Sequence, residues 1–181
     1  FMNQNNYSLE IKLSISEIKQ EIWNQFNEKN KNPFFEWNWL KNLEESKTVT
    51  SETGWQPLYF LAYKANKREL CAIAPLFLKN HSYGEFIFDQ SFARLAQDMN
   101  LNYYPKLIGM SPYSPIEGYQ FIYQENSNKD EITCFLIDNI EKFAIRNNIL
   151  SCNFLYVDIN WSNYLVSLGY HDWVNIRSEW I

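Results

Sequence analysis

Polar side chains recur at a regular spacing between residues 81 and 89, in a stretch that is otherwise rich in apolar residues. If this segment is extended, successive side chains point to opposite faces. The polar face then consists of His81, Tyr83, Glu85 and Asp89. The opposite face carries Phe86 and Phe88, which we expect to be buried. One face therefore packs against the core, and the other is free for acid–base chemistry.

Two carboxylates can share a proton only when they lie close together. At about 3.3 Å per residue, Glu85 and Asp89 of an extended segment stand roughly 13 Å apart. Each carboxylate is therefore expected to act alone. The alternative is structural: His81 caps a turn, Tyr83 packs, and the two carboxylates make surface hydrogen bonds.

The composition indicates a globular, acidic protein. The chain has 181 residues, of which 18% are aromatic, so it buries a sizeable core and is neither disordered nor fibrous. A net charge of -5 argues against a general nucleic-acid surface, because such a surface needs clustered Lys and Arg. The sequence contains neither a signal pattern nor a long apolar run, which predicts a cytoplasmic protein with no membrane span.

Residues that bind metals are sparse and scattered. Cys71, Cys134 and Cys152 each lie in an apolar run without C-x-x-C spacing, which favours reduced core thiols. His171 has no partner at the spacing of metal ligands. We therefore predict no metal site.

Hydrophobic periodicity predicts an α+β order of elements in one domain that spans residues 1–181. The expected strands are 9–13, 55–64, 69–79, 83–89, 103–108, 119–123, 152–157 and 170–180. The expected helices begin after the capping residues Ser14 and Asn32 and cover 91–99, 129–147 and 161–168. Aromatic residues near the C-terminus are expected to pack in the core rather than line a groove. These are Trp161, Tyr164, Tyr170, Trp173 and Trp180.

This order of elements resembles that of the GCN5-related acyltransferase fold, which implies an α/β/α arrangement in which helices flank a mixed, mostly antiparallel central sheet. Short sequence motifs make the resemblance more specific. They are Asn32-Pro33-Phe34, Glu44-Glu45-Ser46, Gly54-Trp55-Gln56-Pro57, residues 74–79, residues 81–89 and Tyr103-Tyr104-Pro105-Lys106. In this order they resemble the N-terminal half of the bacterial FemAB-like family of predicted N-acyltransferases, which is linked by analogy to peptidoglycan peptide chemistry.

The resemblance implies transfer of an acyl or aminoacyl group to an amine. Such a reaction needs a base or water relay to remove a proton and a donor to hold the developing oxyanion. The implied catalytic residues are Glu85 or His81 as the base and Tyr83 as the donor. The implied substrate-binding residues are Lys79, Asp89, Tyr104 and Lys106.

The implied donor is an acyl-CoA or an aminoacyl-tRNA, and the implied acceptor is a small-molecule or peptide amine. Acetyl-CoA enzymes of this fold carry a glycine-rich turn before the long helix, where free N–H groups hold the pyrophosphate. Here Ser127 is expected to cap that helix, and Asp130 and Glu131 already place negative charge there. We therefore predict no coenzyme A in the usual place and no cofactor in this chain.

The chain departs from the family pattern in two respects. Family members resemble tandem domains, so this chain is expected to pair with a second acyltransferase-like domain or to form a homo-oligomer. The family ends this half with a Gln and a His-aromatic pair, where this chain has Arg177-Ser178-Glu179-Trp180. The alternative function is a non-catalytic recognition or scaffold domain.

Overall fold

A computed structural model describes residues 6–30, 32–66 and 68–174. The strands are β1 (Tyr7–Lys12), β2 (Trp55–Lys64), β3 (Glu69–Lys79), β4 (Lys106–Gly109), β5 (Ile122–Tyr123) and β6 (Cys152–Phe154). The α-helices are α1 (Gln20–Asn27), α2 (Trp37–Glu45), α3 (Gln90–Asp98), α4 (Lys129–Arg146) and α5 (Ile159–Ser167). Short 3₁₀ helices at Ile15–Glu17 and Pro33–Phe35 precede α1 and α2.

The strands form one sheet in the order β1-β2-β3-β4-β6, with β5 paired to β3 beside β4. Every neighbouring pair is antiparallel except β4 and β6, which run parallel with Leu107 opposite Cys152. The predicted hairpin of β2 and β3 is confirmed at the predicted bounds. The predicted fold class, a mixed and mostly antiparallel sheet flanked by helices, is also confirmed.

Side chains of β2 alternate between two apolar layers, as the period of a strand requires. Leu58, Phe60 and Ala62 pack with α4 and α5 on one side of the sheet. Tyr59 and Leu61 pack on the other side with the aromatic residues of α1 and α2. Both faces of the central strands are therefore covered by helices.

Local capping positions the N-terminal helices, although the first begins later than predicted. Ser14 caps the 3₁₀ turn, where its hydroxyl accepts a hydrogen bond from the Ser16 N–H, and α1 starts only at Gln20. Asn32 caps the second 3₁₀ turn in the same way, with Pro33 at its first position. Each predicted capping residue therefore starts a short 3₁₀ turn instead of the α-helix itself.

Beyond shifts of one or two residues at strand ends, five predicted strands differ from the structure. Two are shorter than predicted, because only Ile122–Tyr123 of 119–123 and Cys152–Phe154 of 152–157 form strands. The segment 83–89 forms turns and irregular backbone, and 103–108 contributes only from Lys106 onward. Residues 170–174 are not in a strand, and the rest of the predicted final strand, including Arg177-Ser178-Glu179-Trp180, lies outside the described residues. The aromatic residues nearby divide accordingly: Trp161 is buried, whereas Trp173 is 77% exposed.

Helix α3 is strongly amphipathic but turns apolar side chains outward. Ala96 is buried, whereas Phe92, Leu95 and Met99 are 44%, 55% and 60% exposed. Trp173 lies against this surface, with its ring centroid 5.5 Å from that of Phe92. No helix of the described part is long and apolar enough to cross a membrane.

Candidate functional site

The polar segment between β3 and α3 is a turn, here called the polar turn (residues 80–89). Gly84 and Phe86 both have positive φ, +81° and +60°, so the backbone reverses and side chains do not alternate between two faces. Glu85 and Asp89 are buried, whereas Tyr83, Phe86 and Phe88 are 80%, 54% and 84% exposed. The predicted common face of His81, Tyr83, Glu85 and Asp89 and the predicted burial of the two phenylalanines are therefore wrong.

Two lysines meet the carboxylates of the polar turn inside the protein. Lys79 ends β3 and Lys106 begins β4, and the antiparallel register places them opposite each other. The Lys106 ammonium lies 2.8 Å from Glu85 Oε2 and also contacts Asp89 Oδ2. Lys79 Nζ lies 3.8 Å from Glu85 Oε1. We call these four residues, Lys79, Glu85, Asp89 and Lys106, the ion cluster.

The predicted separation of the two carboxylates is also wrong, because Glu85 and Asp89 meet on one ammonium. Lys106 uses its remaining donor on Ser82 Oγ, 2.8 Å away. Neither lysine is more than 2% exposed. In this structure both ammonium groups therefore bind carboxylates of the protein itself, and neither reaches a surface where a substrate phosphate could meet it.

Burial and pairing shift the acid–base equilibria of the cluster in opposite senses. Burial lowers the pKa of Lys79 to about 7, although the negative charge of Glu85 acts to raise it. Burial raises the pKa of Glu85 in spite of Lys106 and Lys79. Burial would also raise the pKa of Asp89, but hydrogen bonds from Lys106 and Tyr103 outweigh it and the pKa is lowered. Near neutral pH, Asp89 therefore keeps its negative charge more readily than Lys79 keeps its positive charge.

Lys79 is enclosed by neutral partners as well as by Glu85. Its ammonium lies 3.6 Å from the ring centroid of Trp55, a cation–π contact, and donates to the Tyr83 carbonyl at 3.0 Å. It also lies 3.2 Å from His81 Nδ1. The lysine therefore ties β2, β3 and the polar turn together.

His81 has both ring nitrogens engaged. The Tyr83 N–H donates to Nδ1 at 3.1 Å, so that nitrogen carries the lone pair and Nε2 carries the proton. Nε2 donates to the Thr53 carbonyl at 2.8 Å. The ring lies over Gly54, where an added Cβ would be 2.5 Å from Nε2. In this arrangement the imidazole fixes the turn, and its lone pair is not offered to a substrate.

Two tyrosines close the cluster from the β4 side. Tyr103 donates to Asp89 Oδ2 at 2.7 Å, and the Tyr104 hydroxyl lies 2.7 Å from Ser82 Oγ. Their rings meet edge to face with centroids 4.9 Å apart. Tyr156, which follows β6 in the chain, donates a hydrogen bond from its hydroxyl to the Glu85 carbonyl at 2.7 Å. The structure thus brings predicted Tyr104 to the cluster and adds Tyr103, Ser82 and Tyr156, which sequence reasoning missed.

The position of Tyr103 next to Tyr104 in the sequence was the one signal that could have identified it. Ser82 lies inside the polar turn but carries no charge to mark it. Tyr156 is 71 residues from Glu85 in sequence, so no local spacing relates the two residues. Among the predicted site residues, Tyr83 is the one that is mostly exposed to solvent.

The N-terminus of α4 is capped by Asn128 rather than by the predicted Ser127. Asn128 Oδ1 accepts from the Glu131 N–H at 3.4 Å, and Asp130 and Glu131 occupy the first turn. A helix N-terminus attracts anions through its free N–H groups and its dipole. In this chain the cap uses one of these N–H groups, and the two acidic residues place negative charge beside the others, which opposes a pyrophosphate there.

The described residues include no group of three or more His, Cys, Asp and Glu side chains that could hold a metal ion. All three cysteines are free thiols, and Cys71 is buried. Burial raises the pKa of Cys152 to about 12, which keeps its thiol protonated. His171 is exposed near the end of the described chain.

The solved structures that are similar to this one include the following two. A possible acetyltransferase from Clostridium difficile 630 has 13% sequence identity and a TM-score of 0.53, over 96% of this chain and 97% of that chain. An aminoglycoside antibiotic 6'-N-acetyltransferase from Acinetobacter baumannii has 12% identity and a TM-score of 0.47, over 96% of this chain and 99% of that chain. At such identity the first likeness shows a shared fold, the GCN5-related acyltransferase type.

No curated protein matches the sequence. Residues 14–181 match the FemAB-like family, whose description is peptidoglycan biosynthesis/recognition. The match covers the polar turn, the ion cluster and the Tyr103-Tyr104 pair, and it agrees with the resemblance of the sequence motifs. The chain belongs to the FemAB-like family.

Proposed function

We propose that this protein transfers an acyl or aminoacyl group to the nitrogen of an amine. Membership of the FemAB-like family and the acyltransferase fold support this reaction class. The structural observation that carries the proposal is the way Tyr83 is held. Its N–H donates to His81 and its carbonyl accepts from Lys79, whereas its side chain is 80% exposed. A hydroxyl is thus presented to solvent on a backbone fixed at both ends.

Tyr83 suits the role of oxyanion donor. When an amine lone pair attacks the acyl carbonyl carbon, negative charge develops on the carbonyl oxygen. The tyrosine O–H donates a hydrogen bond to that oxygen. As the C–N bond forms, the bond from the acyl carbon to the carrier oxygen or sulfur breaks, and the amine proton passes through a water relay to the departing oxygen or sulfur. A donor held in place before the reaction begins needs no reorganisation in the transition state.

The buried residues act on Tyr83 as positioning residues in this proposal. His81 and Lys79 hold the Tyr83 backbone directly. Glu85 and Asp89 anchor the rest of the polar turn to Lys106. This assignment gives His81 and Glu85 a supporting role, because neither presents a free polar atom to solvent in the structure.

A transfer assay with matched variants tests the proposal. The protein is incubated with acetyl-CoA or an aminoacyl-tRNA as donor and with amino-acid and peptide amines as acceptors, and acylated products are measured by mass spectrometry. Tyr83→Phe should lower kcat about 100-fold with little change in KM. Phe88→Leu, a change at a neighbouring exposed ring that has no hydroxyl, is the control and should retain activity.

Absence of transfer with every donor would overturn the reaction class, and an unchanged kcat in Tyr83→Phe would remove the donor role. The exposed apolar face of α3 and the occupied N-terminus of α4 favour the second candidate, a recognition domain for a partner domain or chain. That function predicts ligand or partner binding without product.

A further inference from the structure

A polar cleft of about 700 Å³ lies between α3 and the segment that leads into β4. Its walls combine one guanidinium with several carboxamides, and Tyr103 and Tyr104 also line it. The polar lining residues on α3 and beyond it are Gln90, Arg94, Gln97, Asn100 and Asn102. This volume is in the range of cavities that take small ligands.

The cleft is lined by one positively charged side chain, that of Arg94. Arg94 is exposed, and no carboxylate of the described residues forms an ion pair with it. Among the residues that the structure describes, no Asp or Glu lines the cleft. A guanidinium with free donors binds a carboxylate in a two-pronged geometry. The cleft is therefore suited to an anionic group, in a protein whose net charge is negative.

The remaining walls suit the polar body of such a ligand. Each carboxamide offers both a donor and an acceptor, which matches hydroxyl, acetamido and peptide groups. The two tyrosine rings are fixed, because their hydroxyls bond to Asp89 and Ser82. A fixed ring gives a flat apolar surface at little entropic cost.

We propose that this cleft binds a polar ligand through its carboxylate, with Arg94 as the anchoring residue. The ligand is a peptide or a sugar acid, which share this chemistry. The proposal deepens the proposed function, since such a ligand would be the acceptor substrate and would approach by way of Tyr104, but binding does not depend on catalysis.

Titration calorimetry with matched ligand pairs tests the proposal. The peptide pair is N-acetyl-Ala-Ala and its C-terminal amide. The sugar pair is N-acetylmuramic acid, which carries a carboxylate, and N-acetylglucosamine, which lacks it. In at least one pair the carboxylate ligand should bind about tenfold or more tightly than its neutral counterpart, a difference of about 1.4 kcal/mol. The pair that shows the preference identifies the source of the carboxylate.

Arg94→Gln should abolish the preference. Arg146→Gln, at an exposed arginine in the last turn of α4, is the matched control and should preserve it. Equal binding of both members of each pair, no binding of any of the four, or a preference that survives Arg94→Gln would overturn the proposal. Carboxylate-dependent binding without any acyl product would support the cleft and contradict the transferase function, so the two failures are distinguishable.

Discussion

The Lys106 ammonium lies 2.8 Å from the Glu85 carboxylate, and neither side chain is more than 2% exposed. The same ammonium contacts Asp89, so one positive charge serves two buried carboxylates. Lys79 contributes a second positive charge at 3.8 Å from the other oxygen of Glu85. The fold of the polar turn therefore depends on a strand residue that lies 21 positions later in the chain.

Removing the shared cation should be costly. Lys106→Met leaves two buried carboxylates without their common partner, and we expect a loss of about 3–5 kcal/mol in the free energy of unfolding. Lys142→Met removes a half-exposed partner of Asp138 and should cost less than about 1 kcal/mol. Urea denaturation of both variants measures the difference. Similar midpoints in the two variants would show that the cluster does not stabilise the fold.

Glu85 and Phe86 should respond to substitution in the reverse of the order that strand alternation predicts. Glu85→Gln removes a buried paired charge and should cost about 3 kcal/mol. Phe86→Ala shortens a side chain that is 54% exposed and should change stability by less than about 1 kcal/mol. Thermal melts of the two variants decide the matter, and greater damage from Phe86→Ala would restore the extended interpretation of the segment.

Gly54 should be less tolerant of a side chain than Gly169. Both have positive φ, +73° and +99°, so alanine costs about 1–2 kcal/mol of backbone strain at either position. At Gly54 the new Cβ would also lie 2.5 Å from His81 Nε2, whereas no described residue lies within 4 Å at Gly169. Displacing the ring breaks its bond to Thr53 and should add about 1–3 kcal/mol. Equal unfolding free energies for the two variants would exclude the His81 contact.

Lys79 should make stability depend on pH above neutrality. In the folded protein the pKa of Lys79 is lowered to about 7, whereas in the unfolded chain it has its ordinary value of 10.5. As pH rises, Lys79 therefore loses its proton earlier in the folded protein than in the unfolded chain. The unfolded state then binds more protons between these values, so this group's contribution to stability rises as pH increases from 7. Unfolding free energies of the wild type and of Lys79→Met, measured between pH 7 and 9.5, should diverge in favour of the wild type.

The comparison with Lys79→Met removes the contributions of tyrosines and cysteines that titrate in the same range, because both proteins carry them. A constant difference between the two proteins across this range would mean that Lys79 keeps its proton in the folded state.

Acetyl-CoA should bind weakly to this chain. Asn128 occupies one N–H donor in the first turn of α4, that of Glu131, and Asp130 and Glu131 repel a pyrophosphate at the position where this fold otherwise holds it. Titration calorimetry should give a dissociation constant above about 10 μM, or a binding free energy weaker than about -7 kcal/mol. An acetyltransferase known to use the cofactor serves as the positive control. Tighter binding would contradict the role of the acidic first turn.

The elements that a local pattern defines were predicted well. The hairpin of β2 and β3 has apolar runs on either side of a polar tip, and α4 has an apolar stripe at helical spacing, so their bounds agree with the structure to within one residue. The polar turn was predicted as a strand because its side chains happen to alternate in type. That inference fails once Gly84 and Phe86 adopt positive φ.

By itself, the sequence determined the order of elements, the sheet-and-helix class and the family, since each rests on periodicity or on short motifs that need no partner elsewhere in the chain. The tertiary structure decided which side of the polar turn faces inward. Glu85 is buried because Lys79 and Lys106, from two paired strands, compensate its charge. An unpaired carboxylate is more stable in water than in the protein interior. The lysines that compensate its loss of hydration lie next to it only when the sheet has formed.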